Sequence, residues 1–456
     1  MQAACLPLVI AVALAAVKAD KLQGSSLVAS QALRVAVKNA EPLFNRRIAA
    51  GLEALPVIPM TKASQMAGND LFFQIDSDTT VEVKDVHVVS APILNVSSVS
   101  ADLEYLNMAV EGNVGTIIVD GNFSISSLSS FKILPLVSEG SFRLVLESVT
   151  FKGYTGLRVA GDSLLSENYD IDYVPAAVIL TAHYYTPHGP VKTQISTRSF
   201  DETVIAKIKA RLRSVMNRHM KKQFDAVASE FSLKELLLDD EPTITSFMLH
   251  SRAMTANVNE YVDALIAEIT KQLTNANLRT INIPAELHAS FSKVILWVTW
   301  RGSFTATGAW AKDLATIRRT GDMSIVYDKG VLTVFGALGL GNLQVGFNHY
   351  HAEFMDIGPS GTVSATVGSN SLFFKVSVDM KELQHATATI EELYVEYIDD
   401  IDLEVTGLGI LNWLVSQIAT WVLGFFTDSI APFINKYLQD IASTSVSLVN
   451  PLDYLQ

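Results

Sequence analysis

The stretch from Gly407 to Phe426, GLGILNWLVSQIATWVLGFF, carries no charged side chain. Any fold that contains it must hide it from water. On a helical wheel Ile410, Leu411, Leu414, Ile418, Trp421 and Phe425 share one face, while Asn412, Ser416 and Thr420 recur on the opposite one. Trp413, Val415 and Val422 widen the apolar arc beyond what one packing partner covers, which predicts a helix that meets apolar matter on two sides. Three readings are open at this point. A run of this length is close to the roughly 20 residues that cross a bilayer; it also suits a core helix of a large domain, or a helix that lines a long apolar cavity.

The chain opens with an apolar segment, Leu6 to Val17, followed by Val17-Lys18-Ala19 before Asp20. Residues 1–19 read as a secretory signal peptide, with cleavage expected after Ala19. That segment holds Cys5, the only cysteine, so the expected mature chain has no internal disulfide and no cysteine zinc site. A chain of this length buries enough surface to fold without cross-links. The net charge of -13 argues against nucleic acid and other partners bound by field alone. Two sequons, at Asn95 and Asn122, fit secretion and mark expected glycosylation sites.

Two long amphipathic helices anchor an internal duplication. From Ser25 to about Leu55, Leu33, Val37, Ala40, Phe44, Ile48 and Leu52 fall at steps of three and four; from about Thr255 to Ala276, Val258, Val262, Leu265, Ile266, Ile269 and Leu273 do the same. Each helix is closed by an Ile-Pro exit, Ile58-Pro59 and Ile283-Pro284, about 225 residues apart. Short alternating runs follow each one and predict antiparallel meanders, with Phe291 to Trp300 read as one strand and Leu71 to Ile75 as another. Each meander leads into a second long helix. The first of these runs from about Asp201 to Leu237, with Ile205, Ile208, Leu212, Val215, Met216 and Val227 inward; the other is the charge-free stretch continued through Ile434 and Leu438. The acidic, proline-bearing turn Leu238 to Pro242 is the expected boundary, giving units 20–241 and 242–456. The fold class is α+β: two tandem units, each a long helix, a strongly curved antiparallel sheet and a second long helix.

That duplicated organisation resembles the tubular lipid-binding (TULIP) superfamily. The second unit is similar to the group 7 mite allergens, on Gly407-Leu-Gly-Ile-Leu-Asn-Trp-Leu-Val, Phe425-Phe426-Thr-Asp428 and Ile434-Asn-Lys-Tyr-Leu438. The missing cysteines point the same way, away from carriers that keep a disulfide. The resemblance implies an elongated apolar cavity in each unit, no catalysis, no cofactor, and lipids or other hydrophobic small molecules as partners. The lining it implies is Leu33, Val37, Phe44, Ile205, Ile208, Leu212 and Met216 in the first unit, and Val262, Leu265, Ile269, Leu411, Leu414, Ile418, Trp421 and Phe425 in the second. Recognition of bacterial lipids, and a fully packed interaction or storage protein, are the alternatives.

Other motifs carry less. Gly161-Asp162-Ser163-Leu164 spells a hydrolase signature, but no histidine has an aspartate three positions before it, so the segment reads as a turn between strands. His349, His351 and Glu353 share one strand face, which reads as solvent-facing alternation rather than a metal site. Gly336, Gly339, Gly341 and Gly346 read as a hairpin with a bulge. The basic residues from Lys207 to Lys222 make that helix a candidate for transient contact with a membrane surface.

Overall fold

The computed structural model describes residues 31–52, 71–74, 79–90, 94–127, 136–186, 189–196, 202–230, 232–276, 280–295, 298–354, 358–381 and 386–455. The expected signal segment lies outside them. Helix α1 (31–52) turns Leu33, Val37, Ala40, Phe44, Ile48 and Leu52 inward, all buried, as their spacing requires. The first sheet holds β1 (Leu71–Gln74), β2 (Thr79–Ser90), β3 (Asn95–Asp102), β4 (Asn107–Ser127), β5 (Leu136–Ala160), β6 (Ser163–Val174), β7 (Ala177–Thr186) and β8 (Gly189–Ser196). Its pairings are antiparallel and its spine is the long β4–β5 pair. Along the outer edge of β5, β7 pairs with the first half of the strand and β6 with the second.

Helix α2 (Glu202–Ala228) closes this unit with Leu212, Met216, Met220, Phe224 and Val227 buried at steps of four and three. It crosses α1 closely: a Cβ on Gly51 would run into Val227. The helix expected to reach Leu237 stops at Ala228. A short helix, α3 (Leu233–Leu236), follows it, capped by Ser232, whose hydroxyl accepts from the Lys234 amide. Serine and aspartate side chains compete for backbone groups in this way, and they end helices that apolar spacing alone would continue.

Helix α4 (Glu241–Asn275) begins fourteen residues before the expected Thr255. Pro242 sits in its first turn, where a missing N–H costs nothing. At about 1.5 Å per residue the helix spans roughly 50 Å. Ile244 and Phe247 belong to the first hydrophobic core, Val258 to Leu273 to the second, and Met254 packs against both. The first core therefore extends past the expected boundary, along a helix common to both.

The second sheet holds β9 (Thr280–Ile283), β10 (Leu287–Ile295), β11 (Val298–Lys312), β12 (Ile317–Arg319), β13 (Ser324–Asp328), β14 (Val331–Leu340), β15 (Gln344–Phe354), β16 (Ser360–Asp379) and β17 (Thr387–Val405). Phe291 to Trp300, expected as one strand, is the hairpin between β10 and β11, in register from Ile295 opposite Val298. The glycine-rich patch is not a hairpin. β14 and β15 pair with successive halves of β16 instead of with each other, and Gly341 sits in the turn that carries the chain from one to the other. A register shift does occur just beyond the patch, in the β15–β16 pairing between Phe347 and Tyr350.

The charge-free stretch forms a 3₁₀ segment (Gly409–Leu414), α5 (Val415–Phe425) and a π-helical turn (Phe426–Ile430) that runs into α6 (Ala431–Ser445). Pro432 explains the π turn, since it has no N–H to offer the carbonyl four residues back and its ring crowds that carbonyl. No described helix is long and apolar enough to cross a membrane. Both sheets are mixed with helices in an α+β arrangement, and neither closes into a barrel.

Candidate functional site

In the first unit, α1 and α2 press their apolar stripes onto the sheet. Leu33, Val37, Phe44, Leu212 and Met216 are buried in one continuous cluster with Ile117, Phe151, Ile171 and Tyr173 from the strands. Tyr169 meets Phe224 with ring centres 6.0 Å apart, and Phe151 meets Tyr173 at 6.3 Å. Met220 and Phe224 continue the stripe named from the sequence; the signal for them was the same spacing, carried two turns further. The side chains of Ile205 and Ile208 lie outside the described residues.

In the second unit, Val262, Leu265 and Ile269 on α4 and Leu411, Leu414, Ile418, Trp421 and Phe425 on the closing segment are buried in a single apolar cluster. Aromatic rings join helix to sheet. Trp421 lies 5.4 Å from Phe304 on β11, Phe304 stacks on Tyr350 at 5.2 Å, and Phe425 lies 5.2 Å from Phe347 on β15. The Tyr350 hydroxyl donates to the Thr406 carbonyl at 2.5 Å. Trp413 meets Phe354 edge-on at 5.6 Å. Helix α5 also runs close to β1 of the first unit, while Val415, expected in its wide apolar arc, is exposed.

The two units join through charge. The Arg213 guanidinium on α2 bonds Asp170 at 2.7 Å and Glu392 of the second unit at 3.0 Å, with Asp172 at 3.3 Å. The Lys375 ammonium on β16 bonds Asp170 from the other side at 2.7 Å and reaches Glu392 at 3.5 Å. Burial alone would lower the pKa of Lys375; Asp170 and Glu392 outweigh it and raise the value. Arg213 also lies over the rings of Phe373 and Tyr394, at 4.8 and 5.6 Å. Arg218 lies over Tyr397 at 5.3 Å, and the Ser214 hydroxyl donates to the Glu396 carbonyl. The basic helix thus fills the space between β6 and β17, covering sheet edges that would otherwise be open. Lys209, Lys221 and Lys222 remain exposed. Hairpin β13–β14, through Val326 and Phe335, joins Phe373 of β16 in an apolar contact with Tyr154 of the first unit. Gly156 gives Ser324 the room it needs, because a Cβ there would overlap the serine.

Glu167, at this junction, is held protonated up to about 7, chiefly by burial and then by the charge of Asp322, against Arg158 and Lys221. The folded chain binds this proton more tightly than the unfolded chain, so Glu167 lowers stability progressively as pH rises from about 4.5 to about 7. Glu167→Gln is expected to match the parent in melting temperature near pH 4.5 and to exceed it at pH 8. Parallel melting curves for the two proteins across that range would contradict the assignment.

The remaining motifs take structural places. Gly161 and Asp162 form the turn between β5 and β6, where Asp162 accepts from the Ser232 hydroxyl at 2.6 Å and Ser163 bridges to Ser232. His349, His351 and Glu353 are exposed on β15. His219 is half-buried, and burial, with Lys222 and Arg218, lowers its pKa. Asn95 and Asn122 are exposed; Asn95 lines a surface cleft of about 380 Å³, and the Asn122 amide donates to Asp85 at 3.0 Å. The charge cluster at the junction escaped the sequence reading. Its members lie far apart in the chain, and no local period links them.

Residues 257–446 match the family model of the Group 7 allergen, the family that the closing helix resembles. Among solved structures, the chain is similar to Epiphyas postvittana Takeout 1, at 12% identity and a TM-score of 0.24, over 41% of this chain and 93% of that one. It is also similar to lipopolysaccharide binding protein, at 9% identity and a TM-score of 0.20, over 86% of this chain and 87% of that one. No curated protein matches.

Proposed function

We propose that this chain, whose second unit carries the Group 7 allergen pattern, is a secreted, non-enzymatic binder of lipids or other hydrophobic small molecules. Each unit holds its ligand in an apolar interior between two helices and a curved sheet. One observation carries this reading: α5, without a single charge, turns Ile418, Trp421, Val422 and Phe425 into one apolar cluster with Phe304, Phe347, Tyr350 and the stripe of α4. A binding interior of this kind gains roughly 0.8 kcal/mol for each methylene it removes from water, and it needs few polar groups.

Native mass spectrometry of the full chain, before and after organic extraction, tests the reading. The untreated protein should carry additional lipid-like mass that extraction removes, and the extracted protein should take up a fluorescent fatty acyl probe. Protein from its natural fluid with no bound small molecule and no uptake would favour a fully packed scaffold.

A further inference from the structure

We propose that the Tyr261 hydroxyl on α4 is the polar anchor of the second unit's ligand, and that this ligand is a long-chain lipid with an uncharged, oxygen-bearing head such as an alcohol or an ester. The inference rests on the lipid-binding reading above and gives it a chemical class.

Tyr261 is fully buried among apolar neighbours, and its hydroxyl has no hydrogen-bond partner. Its ring lies 6.2 Å from that of Tyr454, centre to centre. A second buried hydroxyl, that of Ser445 on α6, is also without a partner, and α4 and α6 pack on each other. The same core shows how a purely structural tyrosine is satisfied: the Tyr350 hydroxyl donates to the Thr406 carbonyl. An apolar interior penalises a hydroxyl that bonds to nothing, and phenylalanine would fill the space of Tyr261 without that penalty. The hydroxyl therefore belongs to a state in which something bonds it.

The surroundings select the head group. The cluster around Tyr261 is apolar, and among the described residues burial is what moves its hydroxyl, raising it to about 12; no described cation there would hold a carboxylate or phosphate in its ionised form. A hydroxyl or ester oxygen needs no counter-charge, and a phenol can both donate to it and accept from it.

The test uses the full-length, lipid-extracted protein and three probes of equal chain length, hexadecane, hexadecanol and hexadecanoate, each displacing a bound fluorescent alkyl dye at pH 8. The parent should prefer hexadecanol to hexadecane by about tenfold, the worth of one net hydrogen bond, and should bind hexadecanoate less tightly than hexadecanol. Tyr261→Phe should bring hexadecanol down to the level of hexadecane and leave hexadecane unchanged. Without lipid, the variant should melt no lower than the parent, because the unpartnered hydroxyl is gone. Unaltered preference for hexadecanol in the variant, or equal weakening of both probes together with a lower melting temperature without lipid, would overturn the anchor while leaving lipid binding intact. Failure of the parent to bind any of the three would overturn the lipid-binding reading itself.

Discussion

Asp170→Ala is expected to destabilise the folded chain by about 3–5 kcal/mol, the range for breaking a buried ion pair by removing one partner. Asp170 is 8% exposed and is bonded closely by both Arg213, at 2.7 Å, and Lys375, at 2.7 Å. Without it two cations face each other across the junction with Glu392 and the more exposed Asp172, among the described residues, left to answer them. Because Asp170 and Arg213 belong to the first unit and Lys375 and Glu392 to the second, the loss should fall on the joint between them. Urea unfolding followed by tryptophan fluorescence would report it as a lower midpoint. The contrasting variant replaces the whole group: Asp170→Ala with Arg213→Met, Lys375→Met and Glu392→Gln should recover most of the loss, since removing all the charges leaves none stranded. A midpoint for Asp170→Ala within experimental error of the parent would mean that the cluster contributes nothing to the joint.

Trp421→Ala carries the second large effect, and its size should depend on lipid. Trp421 is 2% exposed and packs against Phe304, which itself stacks on Tyr350. In lipid-extracted protein, deleting the indole leaves a cavity that the rigid sheet cannot close, and the expected cost is roughly 3–5 kcal/mol. With an alkyl ligand present the chain of the ligand can enter the vacated space, so the loaded variant should lose clearly less. Chemical denaturation of parent and variant, each with and without hexadecanol, reads the difference directly. An equal loss in both states would mean that this interior is packed solid and takes no ligand.

Much of the architecture was legible because apolar periodicity is local. The spacing of Leu33 through Leu52 and of Val258 through Leu273 defines a buried stripe whatever those helices pack against, and both stripes are buried. The duplication was legible for the same reason. Boundaries were harder where the backbone rather than the pattern decides them. Pro242 reads as a breaker but occupies a helix's first turn, and Ser232 caps a short new helix where one long helix was expected to continue. Strand partners were harder still, as Gly336 to Gly346 illustrates: a glycine turn says that the chain changes direction, while β16 decides which strands become neighbours. The junction was invisible, because nothing near Arg213 in the sequence announces Glu392 or Lys375. Of the candidate interior, the apolar residues other than Ile205 and Ile208, whose side chains lie outside the described residues, are buried as their spacing suggests; the unpartnered Tyr261 hydroxyl among them was not legible, since a tyrosine in an apolar stripe looks like any other aromatic until its surroundings are known.

The central claim is that lipid sits inside the second unit, between α4 and the charge-free closing segment. The most direct measurement is photo-crosslinking of the intact chain with a long-chain alkyl probe that carries a diazirine near its methyl end, followed by peptide mapping. The account predicts adducts concentrated in the peptides that contain Val258 to Leu273 and Leu411 to Phe425, and their loss when unlabelled hexadecanol is added in excess. Adducts confined to exposed positions such as Leu249 and Leu448, or adducts in the interior peptides that excess hexadecanol does not displace, would contradict it.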